Sequence, residues 1–167
     1  MQSTDFDLTE IINGEEIMGP SPFFRHQDIL SNLQFHIRRY IKDKDKLIAS
    51  PMDIIFEEGI NRLQPDLIFI RKENLSIAQD WIRGVPDMVC EVVSSGSVIK
   101  DTITKMEIYE KYKVPEYWIV WPEFAAIEVL VIEGYRYRLF SSAEGQGTVK
   151  SKIIDGLQID INSIFEL

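Results

Sequence analysis

Apolar and polar positions along the chain change their period several times, and each change marks an element. Between Gly84 and Pro122 two apolar runs, residues 87–93 and 117–121, flank a charged segment with helical periodicity. That order predicts strand, helix, strand, a βαβ unit with parallel strands. On the first strand Met88, Cys90 and Val92 point one way, and Asp87, Val89, Glu91 and Val93 the other. On the helix, steps of about 100° per residue put Asp101, Lys105, Ile108, Tyr109 and Tyr112 on one arc. Glu107, Glu110 and Lys111 fall on the opposite side. Two polar residues thus occupy places suited to apolar ones: Glu91 inside the strand and Lys105 on the inward face of the helix.

Upstream, residues 8–18 predict a turn or short hairpin around Asn13-Gly14. In the segment SPFFRHQDILSNLQFHIRRYIKD, Ser21 is placed to cap a helix and Pro22 suits its first turn. Ile29, Leu30, Leu33, Ile37, Tyr40 and Ile41 form its apolar stripe, and Arg25, Arg38, Arg39 and Lys42 a basic flank. Residues 47–56 and 63–71 predict two strands of a hairpin turning at 57–61. In the second of these, Asp66 alternates with Ile68 and Ile70, and Pro65 marks an edge or the start of pairing. A short irregular helix is expected over 75–82. Downstream, residues 126–132 and 135–140 predict another hairpin around Glu133-Gly134. A mobile loop at 143–147, a strand over 148–154, a last short strand and a closing helical turn complete the pattern.

Composition narrows the class. At 167 residues the chain is expected to form one domain, residues 1–167, with a substantial core. Its 45% apolar and 27% charged residues are ordinary for a globular protein. No stretch approaches the roughly 20 apolar residues of a membrane span, and the acidic N-terminus MQSTDFDLTE lacks the apolar core of a secretory signal. The single cysteine, Cys90, reads as a small buried hydrophobe. These features point to the cytoplasm and away from membranes. A net charge of −9 argues against broad nonspecific affinity for nucleic acid. There is no Gly-rich phosphate loop, no CxxC pair and no HExxH. His26 and His36, ten residues apart, read as surface or half-buried helix residues rather than zinc ligands.

The polar residues in apolar places admit two readings each. Glu91 is either one half of a structural salt bridge or a ligand for metal or substrate. Asp66 is either a strand-start cap or a second ligand. Lys105 either pairs with Asp101 at i, i+4 while its stem snorkels, or points at the sheet end beside Glu91. Two acids on neighbouring strands with one lysine suit phosphodiester hydrolysis. Carboxylates hold Mg²⁺, a hard cation that keeps several waters. The metal polarises the phosphate and lowers the pKa of an attacking water. A nearby lysine orients that water or offsets charge on phosphorus.

The same residues carry a family resemblance. IINGEEI, SPFFRHQDIL, QPDLIFI, PDMVCEVVSS, Asp101 with Lys105 and Tyr109, VPEYWIVWP and GLQIDINSIF together resemble the Uma-two family, a restriction-endonuclease branch of the PD-(D/E)XK nuclease superfamily. The resemblance runs through nearly the whole chain. It implies an α/β fold with a restriction-endonuclease-like αβββαβ core, a mixed sheet flanked by helices, and a β-rich C-terminal extension. By position, Asp66 matches the aspartate of the PD pair and Glu91 the acid of the second half-motif. Val93 stands where the superfamily commonly has its lysine, and Lys105, in the following helix, takes that role. Glu15 resembles an N-terminal acid that completes the metal site. The chain departs from the family at Ser94-Ser95-Gly96-Ser97, where Ser-Pro-Ser-Thr is common, and at Trp121-Pro122, where Asp-Pro is common. The implied activity is that of an Mg²⁺-dependent endodeoxyribonuclease, with Mn²⁺ an alternative metal. Asp66, Glu91 and Lys105 would be catalytic, and Asp66, Glu91 and Glu15 would be metal ligands. DNA is the implied partner, RNA remains open, and a homodimer would supply two sites for cutting both strands. The competing expectation, favoured by the acidic charge, is an idle nuclease fold used for protein interaction.

Overall fold

The computed structural model describes residues 7–166. Strands β1 (Thr9–Ile12) and β2 (Glu15–Met18) form the expected hairpin. Its two turn residues, Asn13 and Gly14, both have positive φ, 51° and 83°, the combination that tight hairpins require. Helix α1 (Phe24–Arg38) follows, buried along Ile29, Leu30, Leu33 and Ile37. Its capping position is Phe23, which makes no side-chain cap; Ser21, the expected cap, lies two residues outside.

The strand expected over 47–56 is broken in the middle, and in the one expected over 63–71 only Leu63 precedes a break at Gln64–Asp66, so that Pro65 marks the start of the main paired stretch. They become β3 (Lys46–Ala49) and β4 (Ile54–Glu57), then β5 (Asn61–Leu63) and β6 (Leu67–Ile70). The breaks fall at Pro51 and Pro65, which cannot donate to a ladder. The expected hairpin exists where β4 pairs with β5, whereas β3 and β6 pair with each other in a different sheet. A 3₁₀ segment (Lys72–Ile77) begins three residues earlier than the predicted helix and ends before β7 (Ile82–Arg83). The βαβ unit consists of β8 (Met88–Val92), a π-helical segment (Lys100–Lys105) running directly into α2 (Met106–Lys111), and β9 (Glu116–Trp121). Its strands are parallel, in register from Met88 opposite Glu116 to Val92 opposite Val120. The tail adds β10 (Ala126–Glu133), β11 (Arg136–Glu144), β12 (Thr148–Lys150), β13 (Gln158–Asp160) and α3 (Asn162–Phe165). Residues 143 and 144, expected in a loop, are the end of β11 and pair with β10.

The result is a mixed, β-rich α/β fold. Its centre is a six-stranded sheet in the order β11-β10-β9-β8-β6-β3, beside a five-stranded sheet β2-β1-β5-β4-β7 and the hairpin β12-β13. One face of the central sheet presents Leu67, Phe69, Met88, Cys90, Val92, Trp118 and Val120 to α1, α3 and the β12–β13 hairpin. The other presents Ile68, Ile70, Val89, Val93, Tyr117 and Ile119 to α2 and to the five-stranded sheet. Burial on both faces explains the near-continuous apolar runs of β6, β8 and β9.

One acid in this core has a structural task. Glu116 is fully buried on the α1 side of β9. Its carboxylate accepts from Trp118 Nε1 at 2.6 Å, Ser151 Oγ at 2.7 Å, and the backbone N–H groups of Lys152 at 2.7 Å and Ile153 at 3.2 Å. It thereby fastens the segment after β12 to the sheet. Glu116→Gln would turn an amide NH₂ toward groups that are themselves donors. We expect a loss of about 2 kcal/mol, the penalty of buried donors left unmatched, measurable as a lowered urea midpoint with an unchanged slope.

Candidate active site

The site begins with strand register. β6 and β8 are antiparallel, with Leu67 opposite Cys90. Asp66 stands just before β6 and Glu91 lies within β8, so the two acids come from neighbouring strands, and both line one cleft. Asp66 Oδ2 accepts the Val92 N–H at 2.7 Å and faces His26 Nε2 at 3.2 Å. Glu91 Oε1 accepts from Lys105 Nζ at 2.9 Å and from the Tyr109 hydroxyl at 2.7 Å. Asp66 Oδ1 and Glu91 Oε2 accept no hydrogen bond from the described residues.

The helix supplies the cation. Lys105 closes the π-helical segment, and its side chain is 2% exposed. A π turn closes its hydrogen bond over one residue more than an α turn, i→i+5 against i→i+4, and such turns are frequent at functional sites. The Asp101–Lys105 pair expected at i, i+4 does not form. Lys105 Nζ instead bonds Glu91 and, at 2.7 Å, Glu10 Oε1. Glu10 comes from β1 in the five-stranded sheet and also accepts from Lys100 Nζ at 3.2 Å and the Gln64 N–H at 2.8 Å. Asp101 is buried beside this group, and its backbone carbonyl accepts from the Tyr117 hydroxyl. A cleft of about 360 Å³ opens over the group, with His26, Asp66, Glu91, Lys100, Asp101 and Lys105 in its wall.

Four acids around two lysines do not all behave alike. Burial pushes the Glu91 carboxyl well above the usual carboxylate range; Lys105 opposes the rise, and Asp101, Asp66 and Glu10 add to it. Burial also raises Asp101, again against Lys105. Glu10 goes the other way: burial would raise it, but Lys105 and Lys100 outweigh burial and hold it below the usual range. Lys105 is disfavoured by burial yet held above the ordinary lysine range by Glu91 and Glu10. His26 is raised because its bond to Asp66 and that carboxylate's charge overcome partial burial. Lys105 is therefore a fixed positive charge with Glu10 as its ionised partner. Glu91 is the acid that most readily shares a proton.

The structure brings Asp66, Glu91 and Lys105 together. It leaves Glu15 outside: that residue follows the β1–β2 turn on exposed β2 and does not line the cleft. Glu10, on the buried face of β1, lines the cleft. Two contributors were missed in the sequence, and both had a signal. Glu10 alternates onto the same face as Ile12, and His26 lies at i−3 and i−4 from Ile29 and Leu30, extending the inward stripe of α1 by one turn. Glu110, expected in solvent, is buried and accepts from the Tyr137 N–H and from Arg136. The basic flank is also divided. α1 has 15 residues, so at a rise of 1.5 Å each Arg38 lies about 21 Å from the cleft end of the helix. There its guanidinium donates to the Leu47 carbonyl.

Among the described residues, no three His, Cys, Asp or Glu side chains gather closely enough to cage a metal ion. Mg²⁺ does not need such a cage; one or two carboxylates suffice when waters and phosphate complete its shell. The unengaged oxygens of Asp66 and Glu91 meet that requirement, and both are hard donors.

A family model named Uma2 and described as "Putative restriction endonuclease" matches residues 5–162. Among solved structures, the chain is similar to a protein described as a putative nuclease belonging to DUF820 from Anabaena variabilis ATCC 29413. That match has a TM-score of 0.77 and 18% identity, covering 94% of this chain and 89% of the other. At that identity the likeness concerns the fold. None of the curated proteins matches the chain. No helix among the described residues is long and apolar enough to cross a membrane.

The pairing of Glu10 with Lys105 makes a stability prediction. Glu10→Ala strands a buried ammonium with one partner, and breaking a buried pair from one side costs about 3 kcal/mol or more. The sign with pH follows from the depressed value. Glu10's contribution is complete above its ordinary value of 4.5 and is lost as pH falls through its lower folded value. Denaturant midpoints measured from neutral to acidic pH should show the native advantage over Glu10→Ala shrinking only in the acid range.

Proposed function

The chain belongs to the Uma2 family, and on that footing we propose that it is a metal-dependent endonuclease hydrolysing phosphodiester bonds of DNA, with Asp66 and Glu91 as metal ligands and Lys105 as the catalytic cation. Family and fold both support nuclease function. The observation that carries the finer reading is the pair Asp66 and Glu91 from neighbouring strands, each with one unengaged oxygen, beside a buried lysine at the wall of a cleft. Mg²⁺ or Mn²⁺ held there would polarise the phosphate and supply a water of lowered pKa.

The remaining chemistry belongs to the chain. An ammonium has three N–H donors; Glu10 and Glu91 occupy two of those of Lys105, which leaves one. Because neighbouring carboxylates keep this lysine charged, it does not remove a proton from water. It donates a hydrogen bond and offsets negative charge as the phosphorus gains its fifth oxygen. Asp66 Oδ2 accepts the Val92 N–H, which ties that carboxylate to the end of β8. Lys100 adds a half-exposed positive charge at the wall. A catalytically idle nuclease fold serving as a protein-interaction or dimerisation module is the second reading; the net charge of −9, poorly suited to a phosphate backbone, favours it.

Titration calorimetry separates the two. Mg²⁺ or Mn²⁺ should bind the native chain, alone or with a short DNA duplex present, and should not bind Asp66→Ala/Glu91→Ala. A duplex cut by the native protein should be cut about 100-fold or more slowly by Lys105→Met, with metal affinity largely kept. Absence of metal binding in the native chain, both with and without duplex, would sink the enzyme reading.

A further inference from the structure

Among the described residues, His26 is the one side chain in the cleft wall that bonds an acid of the site from the other layer of the molecule. It stands in the first turn of α1, the helix packed on the opposite face of the sheet from α2. Its side chain is 15% exposed and that of Asp66 16%, so the contact is sheltered yet borders the cleft. The ring is fixed at both nitrogens: Nε2 lies 3.2 Å from Asp66 Oδ2 and Nδ1 lies 3.2 Å from Gln27 Oε1. Asp66 Oδ2 therefore has two donors, the Val92 N–H from the neighbouring strand and the His26 ring N–H from above. Oδ1 has none among the described residues.

Two donors on one oxygen decide what the other can do. A carboxylate bonded only to Val92 keeps freedom about its Cβ–Cγ bond and could present either oxygen to a cation. With the ring N–H added from α1, that rotation is restrained, and Oδ1 is the oxygen left to meet a cation. Residues that hydrogen-bond a metal-ligating carboxylate in this way commonly contribute a factor of 10–100 in metal affinity.

We infer that His26 is a positioning residue for metal binding: it anchors Asp66 Oδ2 and so directs Oδ1 toward a divalent cation. The inference rests on the assignment of Asp66 as a ligand, and its test keeps the two apart. Mn²⁺ and Mg²⁺ are titrated into the native chain, Asp66→Ala, His26→Ala and His26→Gln, and the metal-free melting midpoint of each is recorded. The expected result is roughly a tenfold or greater loss of affinity for both metals in His26→Ala, a metal-free midpoint close to native, and recovery of most of the affinity in His26→Gln, whose amide carries an N–H donor to similar reach. That recovery is what a purely structural role would not produce. If His26→Ala melts early, His26→Leu, closer in bulk, takes its place in the comparison. Native affinity in His26→Ala together with lost affinity in Asp66→Ala would overturn the role of His26 and leave the ligand assignment standing. Native affinity in Asp66→Ala would remove the assignment and the inference with it. A loss that appears with Ni²⁺ but not with Mg²⁺, and that glutamine does not repair, would make the ring nitrogen itself a ligand and overturn the positioning role, since imidazole suits nickel and oxygen donors suit magnesium.

Discussion

The ammonium of Lys105, almost without solvent between two carboxylates, is the constraint on which the site depends. An isolated buried charge is too costly to persist, and two partners together offset that cost only with close geometry. The three groups come from three separate elements: Lys105 from the end of the π-helical segment, Glu91 from β8 and Glu10 from β1. Satisfying the lysine therefore fixes the five-stranded sheet, the helix and the central sheet against one another at one point. Tyr109, one turn further along the same helix, adds its hydroxyl to Glu91 and its ring to Tyr117 below. The polar cluster and the apolar core around it are thus parts of one packing arrangement.

That arrangement divides the labour among acids of similar kind. Glu10 has two lysines and a backbone N–H, and stays ionised as a structural counter-charge. Glu91 shares one lysine with Glu10 and lies among Asp66, Asp101 and Glu10, so burial wins and its proton is held more tightly. A divalent cation would relieve this crowding of negative charge. The excess acid at the cleft is chemically consistent with a cation site, although the chain's net charge of −9 is poorly suited to a nucleic-acid backbone. The cations closest to the site, Lys100 and Lys105, are both engaged by Glu10, while Arg38 is committed to the far end of α1.

Much of the fold could be read along the chain. Two near-continuous apolar runs, 87–93 and 117–121, with helical spacing between them, specify the parallel unit β8–helix–β9, because strands buried on both faces read as apolar runs and a crossover helix joins parallel strands. Asn13-Gly14 specifies a tight hairpin through its positive φ values. The division of residues 47–56 and 63–71 into four strands was marked by Pro51 and Pro65, but proline shows where a ladder stops, not which sheet each half joins. The loop expected at 143–147 begins later because β11 follows β10 as far as Glu144, and Glu110, on the side of the helix opposite the inward arc, is buried because β11 covers it, a contact that the helical period does not show.

For the site, the sequence by itself determined that Asp66, Glu91 and Lys105 sit where apolar residues are the rule, since periodicity alone shows a charge on an inward face. Only the tertiary structure decided their partners. The antiparallel pairing of β6 with β8 brings Asp66 and Glu91 to one cleft, the π turn aims Lys105 at Glu91 and Glu10 instead of Asp101, and the packing of α1 brings His26 to Asp66. Glu15 and Glu10 illustrate the difference. Five residues apart on one hairpin and on the same face of it, they look alike as acids; what separates them is that β1 is paired on both sides, with β2 and β5, while β2 is the exposed edge of the sheet, a fact carried by strand order and by no local pattern.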